Sequence, residues 1–259
     1  MQKKFVDNVI AKIKNDENIL GLAIGGSWIT NEIDEFSDVD LVLVTNNKIA
    51  PDRKKMTEFA ENLGHLLNAF TGEHVGEKRL LVCLYDNPLL HVDIKFITPD
   101  EFYERIENPI VVWERENILS DIIKNTESKF PYPNYQWIED RFWIWVHYLT
   151  SKLGRGELFE MLDGLNFLNT NVIAPFIQIK NGQLPRGFRR FEISINTDDI
   201  LRVKRAQAIC ERNDLIKSFE EIISLYKELR EIIFTKEICL QSETEKRALE
   251  YFEEIKNRN

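Results

Sequence analysis

The sequence predicts an α+β protein in which a small mixed β-sheet with flanking helices is followed by an α-helical bundle. In the first half of the chain, short apolar runs alternate with turn residues, which is typical of strands. After about residue 135 the apolar spacing is mostly helical. Between the halves, the segment from Phe130 to Asn134 contains two prolines, which discourage both a helix and a central strand. We therefore expect two domains, residues 1–127 and 128–259.

The predicted first domain alternates helices with strands. Pro51 suits the first turn of a helix, and the residues from Asp86 to Pro88 are typical of a turn between two strands. The predicted elements are a helix near 2–16, strands near 19–25 and 38–45, a helix from Pro51 to about Phe70, strands near 79–85 and 89–97, and a short helix near 100–106. This order predicts a mixed sheet with helices packed against it.

The predicted second domain is helical, with one polar break from Asn181 to Gly187. Its apolar residues recur at helical spacing on both sides of that break. The predicted helices lie near 135–153, 156–180, 197–211, 213–234 and 242–257. Such a series of helices predicts a bundle rather than a second sheet.

Composition excludes several classes of protein. A hydrophobic fraction of 43% is ordinary for a folded soluble domain, and no apolar run is long enough to span a membrane. The three cysteines are far apart, so neither a disulfide framework nor a cysteine zinc site is expected. The formal net charge of −9 opposes binding to nucleic acid and favours a cationic small molecule. We expect a cytoplasmic protein, because the N-terminal residues lack the apolar stretch of a signal peptide.

Three acidic residues in strand-like segments are the strongest functional signal. Asp38 and Asp40 alternate with Val and Leu, so their side chains share one face of a predicted strand, and Asp93 lies in a second apolar run. An unpaired carboxylate among apolar residues is costly, which disfavours a purely structural role. Upstream, Gly26 and Ser27 form a turn that can offer backbone N–H groups and a hydroxyl to a phosphate.

This residue set suits magnesium-assisted transfer from a nucleoside triphosphate. Magnesium prefers carboxylate oxygens, and two magnesium ions can activate an attacking oxygen while they stabilise the leaving pyrophosphate. Asp38, Asp40 and Asp93 are therefore the candidate metal ligands, and Gly26 and Ser27 are the candidate phosphate contacts. Asp93 can also act as the general base, since a nearby metal ion acidifies the attacking hydroxyl.

The pattern Gly26-Ser27, Asp38-Val-Asp40 and a distant Asp93 resembles the DNA polymerase β-like nucleotidyltransferase superfamily. With a helical second domain, the chain resembles the small bacterial enzymes that adenylylate aminoglycoside or lincosamide antibiotics. The resemblance in motif covers roughly residues 18–98. It implies a nucleotidyltransferase domain whose two motif acids and third strand acid bind the metal ions, with ATP or another nucleoside triphosphate as co-substrate. The chain departs from many relatives at Trp28, where they carry a basic residue soon after the Gly-Ser pair.

The helix after the proline segment contains further candidates. In the related antibiotic-modifying enzymes this helix supplies a base and a cation that binds phosphate. By that resemblance, Glu139 or Asp140 could deprotonate a substrate hydroxyl, and Lys152 could contact the triphosphate. The competing interpretation is a core helix whose charged ends reach water, which the surrounding aromatic residues favour.

The sequence does not identify the molecule that accepts the nucleoside monophosphate. A small-molecule hydroxyl is the first hypothesis, with an aminoglycoside-like polycation favoured by the acidic charge balance. A protein side chain or an RNA end is the second, although no contiguous basic face is seen. A non-catalytic nucleotide-binding relative of toxin–antitoxin type is the third. The presence of Asp38, Asp40 and Asp93 together speaks against it.

Overall fold

The computed structural model describes residues 1–258, and two compact units divide the chain, Met1–Pro131 and a second that begins at Tyr132. The predicted boundary after residue 127 lies four residues before this division. From the resemblance we expect residues 1–127 to be the nucleotidyltransferase catalytic domain and residues 128–259 to be a helical domain that closes over substrate and nucleotide, and these roles stay a prediction. Among residues 1–258, no helix has the length and apolar character needed to cross a membrane.

The first unit contains six strands and four helices within its described residues. The strands and helices fall close to the predicted positions for most of the unit. In chain order they are α1 (Gln2–Ile13), β1 (Ile19–Ile24), β2 (Val39–Thr45), α2 (Arg53–Glu61), β3 (His65–Gly72), β4 (Glu77–Asp86), β5 (Leu90–Ile97), α3 (Pro99–Phe102), β6 (Ile110–Glu114) and α4 (Ile118–Asn125).

The six strands form one sheet in the order β3-β4-β5-β2-β1-β6. β2 and β5 run parallel, whereas every other neighbouring pair is antiparallel. The parallel pair lies at the centre of the sheet, because the chain crosses from β2 through α2 and the β3–β4 hairpin before it returns as β5. The predicted α+β class with a mixed sheet is confirmed.

The sheet has two differently covered faces. Alternate residues of β2, Val39, Leu41 and Leu43, belong to a buried cluster that includes apolar residues of α1 and α2. On the opposite face, Val44 and Ile97 pack with residues of α3 and α4 in a smaller cluster. Since side chains alternate along a strand, Asp40 lies on this second face, together with Asp93.

The predicted helix from Pro51 to about Phe70 is wrong in its second half. α2 ends at Glu61, and His65–Gly72 is the edge strand β3. This segment pairs with β4, where Ala69 lies opposite Cys83. Cross-strand pairing with a neighbour distant in sequence therefore outweighs the local helical spacing. The sequence prediction also lacked β6 and α4.

The second unit is helical, as expected. Its helices surround one buried cluster that draws residues from α5, α6, α7 and α10. In chain order the helices are α5 (Tyr135–Arg155), α6 (Leu158–Leu168), α7 (Ala174–Lys180), α8 (Phe191–Ser194), α9 (Thr197–Arg205), α10 (Arg212–Ile233) and α11 (Ser242–Lys256).

The predicted helix over 156–180 is interrupted by a π-helical turn, Asn169–Ile173. Pro175 lies two residues after this turn, and a proline inside a helix has no N–H to donate and crowds the carbonyl four residues earlier. The backbone widens locally instead, and the N–H of Ala174 donates to the carbonyl oxygen of Asn169. The helical direction continues through α7 for this reason.

Tyr85 of β4 connects the sheet to α2. Its buried hydroxyl donates to the carbonyl oxygen of Ala60 at 2.8 Å, and its ring lies 5.0 Å from that of Phe5. Tyr85→Phe keeps the ring contact and removes the hydrogen bond, so we expect the free energy of unfolding to fall by about 1 kcal/mol in urea titration. The control Tyr103→Phe, at an exposed position, is expected to change it little. Equal stability of Tyr85→Phe and the parent would contradict this packing.

Candidate active site

The centre of the candidate site is the pairing of β2 with β5. Asp40 and Asp93 are direct partners in the parallel register of these strands. Neighbouring strands lie about 4.8 Å apart, so the two carboxylates start side by side on one face of the sheet. The sequence predicts these acids on two separate strands, and the sheet topology makes the two strands neighbours.

Asp93 lies in a partly desolvated environment. Burial raises the pKa of its carboxyl above the ordinary value, and the nearby charge of Asp38 acts in the same direction. His91 and His74 oppose the rise, through a hydrogen bond and through charge. Asp38, which directly precedes β2, is therefore close enough to Asp93 for the two charges to interact.

His91 holds one oxygen of Asp93. Its Nε2 lies 2.9 Å from Oδ1 of Asp93, two residues along the same strand. The imidazole is half exposed, with 50% of the side chain accessible, whereas 23% of the Asp93 side chain is accessible. His91 therefore acts as a hydrogen-bonded neighbour that restricts the orientation of the carboxylate.

The glycine turn after β1 packs directly against Asp40. The N–H of Gly25 donates to the carbonyl oxygen of Asp40 at 2.9 Å. Gly26 has a φ of +61°, and a Cβ atom there would lie only 1.9 Å from Oδ2 of Asp40. The carboxylate thus occupies the space that a side chain at residue 26 would fill. Only glycine combines this backbone conformation with so close an approach.

Ser27 and Trp28 complete this turn, the short 3₁₀ helix Gly26–Trp28. The Oγ atom of Ser27 and the Nε1 atom of Trp28 are both buried and have no hydrogen-bond partner in the described part of the chain. Buried polar groups are nearly always paired, so two unpaired donors in one turn beside Asp40 mark a place where an acceptor is missing. The predicted phosphate contact at Ser27 fits this observation.

Glu107 is a neighbour of the site that the sequence analysis missed. A Cβ atom placed on Gly25 would lie 3.8 Å from Oε1 of Glu107 and 3.6 Å from Cβ of Asp40. Glu107 therefore reaches the same turn from the segment between α3 and β6. No local pattern marks it, because it lies outside any helix or strand.

Glu139, one of the two predicted bases, lies fully buried in the second unit. Its Oε2 accepts a hydrogen bond from the hydroxyl of Tyr226 at 2.6 Å, and its Oε1 accepts from the N–H of Gln241 at 2.9 Å. The Arg230 guanidinium lies 3.5 Å from Oε1. This is the environment of a structural carboxylate, and it offers no support for the predicted role as a base.

Asp140 and Lys152 also lie in the second unit. Asp140 is exposed and accepts hydrogen bonds from the side chains of Gln136 and Gln241, at 2.8 and 2.9 Å. Nζ of Lys152 lies 2.7 Å from Glu157 and 2.9 Å from Glu160, and these hydrogen bonds raise its pKa above the ordinary value. The predicted contact of Lys152 with a triphosphate stays a prediction, and two carboxylates share its charge in the structure.

Among residues 1–258, no group of three or more His, Cys, Asp or Glu side chains is arranged to hold a metal ion. The pair Asp40 and Asp93 nevertheless fits magnesium, which commonly takes one or two carboxylates from the protein and its other ligands from substrate phosphates and water. The cradle at Gly26 and the unpaired hydroxyl of Ser27 lie where such phosphates would be needed. The donor set therefore suits a metal ion that arrives with a nucleotide.

No protein-family model and no curated protein matches the chain. Among solved structures, the chain is similar to an aminoglycoside 6-adenyltransferase from Bacillus subtilis, at 14% identity and a TM-score of 0.41, over 100% of this chain and 99% of the other. It is also similar to a nucleotidyltransferase-like protein from Exiguobacterium sibiricum 255-15, at 12% identity and a TM-score of 0.34, over 100% and 81%.

Gly26→Ala tests the close approach of Asp40 to the turn. The left-handed backbone disfavours alanine by about 1–2 kcal/mol, and the added methyl group must also displace the Asp40 carboxylate. The matched control is Gly76→Ala, because Gly76 has a φ of +75° and no atom within 4 Å of an added Cβ. In urea titration we expect Gly26→Ala to lose more stability than Gly76→Ala. Equal losses would show that Asp40 does not occupy this space.

Asp93→Asn tests how much the ionised carboxylate of Asp93 lowers the free energy of unfolding. The folded chain binds the Asp93 proton more tightly than the unfolded chain, so ionisation of Asp93 lowers the stability as the pH rises through the raised pKa. The variant removes this ionisation. We expect it to unfold at higher urea concentration than the parent at pH 7, and the difference to shrink as the pH falls toward 4. Asp7→Asn, at an exposed position of α1, is the control. A less stable Asp93→Asn at pH 7 would contradict the raised pKa.

Proposed function

We propose that this chain is a magnesium-dependent nucleotidyltransferase that moves a nucleoside monophosphate, most simply AMP from ATP, to a hydroxyl of a small molecule. The observation that carries the proposal is the register pairing of Asp40 with Asp93 beside the Gly26 turn. Phosphoryl-type transfer depends on positioning and charge neutralisation, and adjacent carboxylates beside a turn with unpaired donors supply the groups for both.

Asp40 and Asp93 are proposed metal ligands, and Asp38, whose charge acts on Asp93, is the third proposed ligand. Bound magnesium would neutralise the phosphate charge and lower the pKa of the attacking hydroxyl. The hydrogen bond from His91 restrains Oδ1 of Asp93, which keeps the orientation of this carboxylate defined. Gly26 leaves the space beside Asp40 open to the carboxylate, and Ser27 offers its hydroxyl to a phosphate oxygen.

Asp93 is the proposed acceptor of the hydroxyl proton. A magnesium ion bound to Asp93 would lower the basicity of this carboxylate, but it would also acidify the attacking hydroxyl, so a strong base is not needed. Asp140 is exposed and stays the alternative from the second unit. Glu139 is the weaker candidate, because hydrogen bonds from Tyr226 and Gln241 already occupy both of its oxygens.

A cationic acceptor agrees with the charges near the turn. Glu107 adds a carboxylate beside Gly25, and the chain as a whole has a formal net charge of −9. An acceptor with amino groups would be attracted to such a surface. A protein side chain or an RNA end remains the alternative acceptor, and an outcome of the test below separates these classes.

The test is magnesium-dependent release of pyrophosphate from ATP, GTP, CTP and UTP, measured against a panel of aminoglycosides, lincosamides and neutral sugars. We expect release with at least one pair of nucleotide and acceptor. Asp40→Asn is expected to reduce the rate at least about 100-fold, because it removes a charged group that the transfer requires. The control Asp7→Asn is expected to keep the parent rate.

The outcomes separate the chemistry from the acceptor. Tight binding of the magnesium nucleotide without turnover on the panel would support the proposed binding site. It would also indicate a protein or RNA acceptor in place of the small molecules tested. The same rate in Asp40→Asn and the parent would contradict the proposed chemistry. A parent that binds no nucleotide in the presence of magnesium would contradict the proposed function as a whole.

A further inference from the structure

Trp28 has a polar group that the fold leaves without a partner. Four buried side-chain atoms have no hydrogen-bond partner in the described part of the chain, and they are Ser27 Oγ, Trp28 Nε1, Asn169 Oδ1 and Gln178 Oε1. The last two are carbonyl oxygens in the second unit. The first two can both donate a hydrogen bond, and they belong to consecutive residues of one turn.

An indole N–H has only one hydrogen-bonding capacity, which is to donate. When it is buried without an acceptor, it costs the fold the full free energy of removing it from water. The ring of Trp28 packs against the buried cluster that contains Val39 and Leu41 of β2 and apolar residues of α1 and α2. Phenylalanine could supply such packing without a buried N–H. Packing alone therefore does not account for tryptophan at this position.

The residues around Trp28 indicate the chemistry of the missing acceptor. Residue 26 of the same turn packs against the carboxylate of Asp40, and Ser27 presents a second unpaired donor. The run from Trp28 to Thr30 contains no cation. A hydrogen-bond acceptor at this turn would therefore bind to neutral donors. Neutral donors can bind the oxygens of a phosphate without a buried positive charge.

We propose that Nε1 of Trp28 donates a hydrogen bond to an oxygen of the triphosphate when the nucleotide binds, next to the hydroxyl of Ser27. This inference rests on the proposed function and extends it, because it assigns a specific donor to the place where no basic residue stands. Nε1 is covered, although the residue as a whole is partly exposed. Binding therefore includes a small movement of the Gly26–Trp28 turn, which changes the surroundings of the indole.

Trp28→Phe tests the donor directly, since it keeps an aromatic ring and removes the N–H. The probe is the magnesium complex of α,β-methylene ATP, which resists cleavage at the transferred phosphate, and calorimetry measures its Kd. We expect Trp28→Phe to bind this complex about 10-fold or more weakly than the parent, the effect of one hydrogen bond to a charged group. Adenosine, which carries no phosphate, is expected to bind both proteins equally.

Trp113→Phe is the matched control. Trp113 lies on β6, packs against the same core cluster as Trp28, and has no unpaired buried nitrogen. We expect Trp113→Phe to bind the magnesium complex with the parent Kd. Without ligand, Trp28→Phe is expected to lose less stability than Trp113→Phe in urea titration, because only the first variant also removes an unpaired buried donor.

A second measurement keeps the indole N–H of Trp28. The parent is labelled with 5-fluorotryptophan, and the ¹⁹F resonance of Trp28 is followed by NMR. Among the five tryptophans of the chain, we expect Trp28 to shift on addition of the magnesium complex and to stay in place with adenosine. This measurement stays informative if Trp28→Phe folds poorly.

The outcomes are distinct for the two proposals. An unchanged Kd in Trp28→Phe, or an equal loss of affinity for adenosine and for the triphosphate, would overturn the role of Trp28 and leave the proposed function standing. A Trp28 resonance that does not respond to the magnesium complex would do the same. A parent that binds no magnesium nucleotide would overturn both.

Discussion

The parallel register of β2 and β5 is the constraint on which the rest of this site depends. It sets Asp40 beside Asp93 on the face of the sheet opposite α1 and α2. A slip of either strand by one residue would turn its acid toward the apolar core, because side chains alternate along a strand. The flanking residues Val39 and Leu41 on β2 are fully buried and hold this register by their packing. The hydrophobic core of the first unit thus determines the geometry of its charged groups.

Holding this geometry is electrostatically unfavourable for the free protein. Asp93 is partly desolvated and feels the charge of Asp38, and the turn before Asp40 contains two buried donors without acceptors. Each of these features has a counterpart in a bound magnesium nucleotide, whose cation would compensate the acids and whose phosphate oxygens would accept from the donors. Such local costs are characteristic of functional sites, where a ligand completes what the fold leaves unpaired.

Much of this fold and site could be predicted from the sequence, for identifiable reasons. The strands that contain Asp40 and Asp93 are short apolar runs bounded by turn residues, and these signals are local. The edge strand β3 was predicted as helix because its pairing with β4 is not local. Glu107 was missed for the same reason, since only the folded chain brings it to Gly25. The burial of Glu139 depends on Tyr226 and Gln241, about 90 to 100 residues away in sequence, which no spacing rule reaches.

We propose that Asp40 and Asp93 together bind the metal ion of a nucleotide. The most direct measurement is the anomalous diffraction of manganese in crystals grown with the manganese complex of α,β-methylene ATP. We expect an anomalous peak in contact with carboxylate oxygens of both Asp40 and Asp93, with the phosphates next to the Gly26 turn. A manganese peak bound elsewhere on the chain, or nucleotide bound with no metal ion at these two carboxylates, would contradict it.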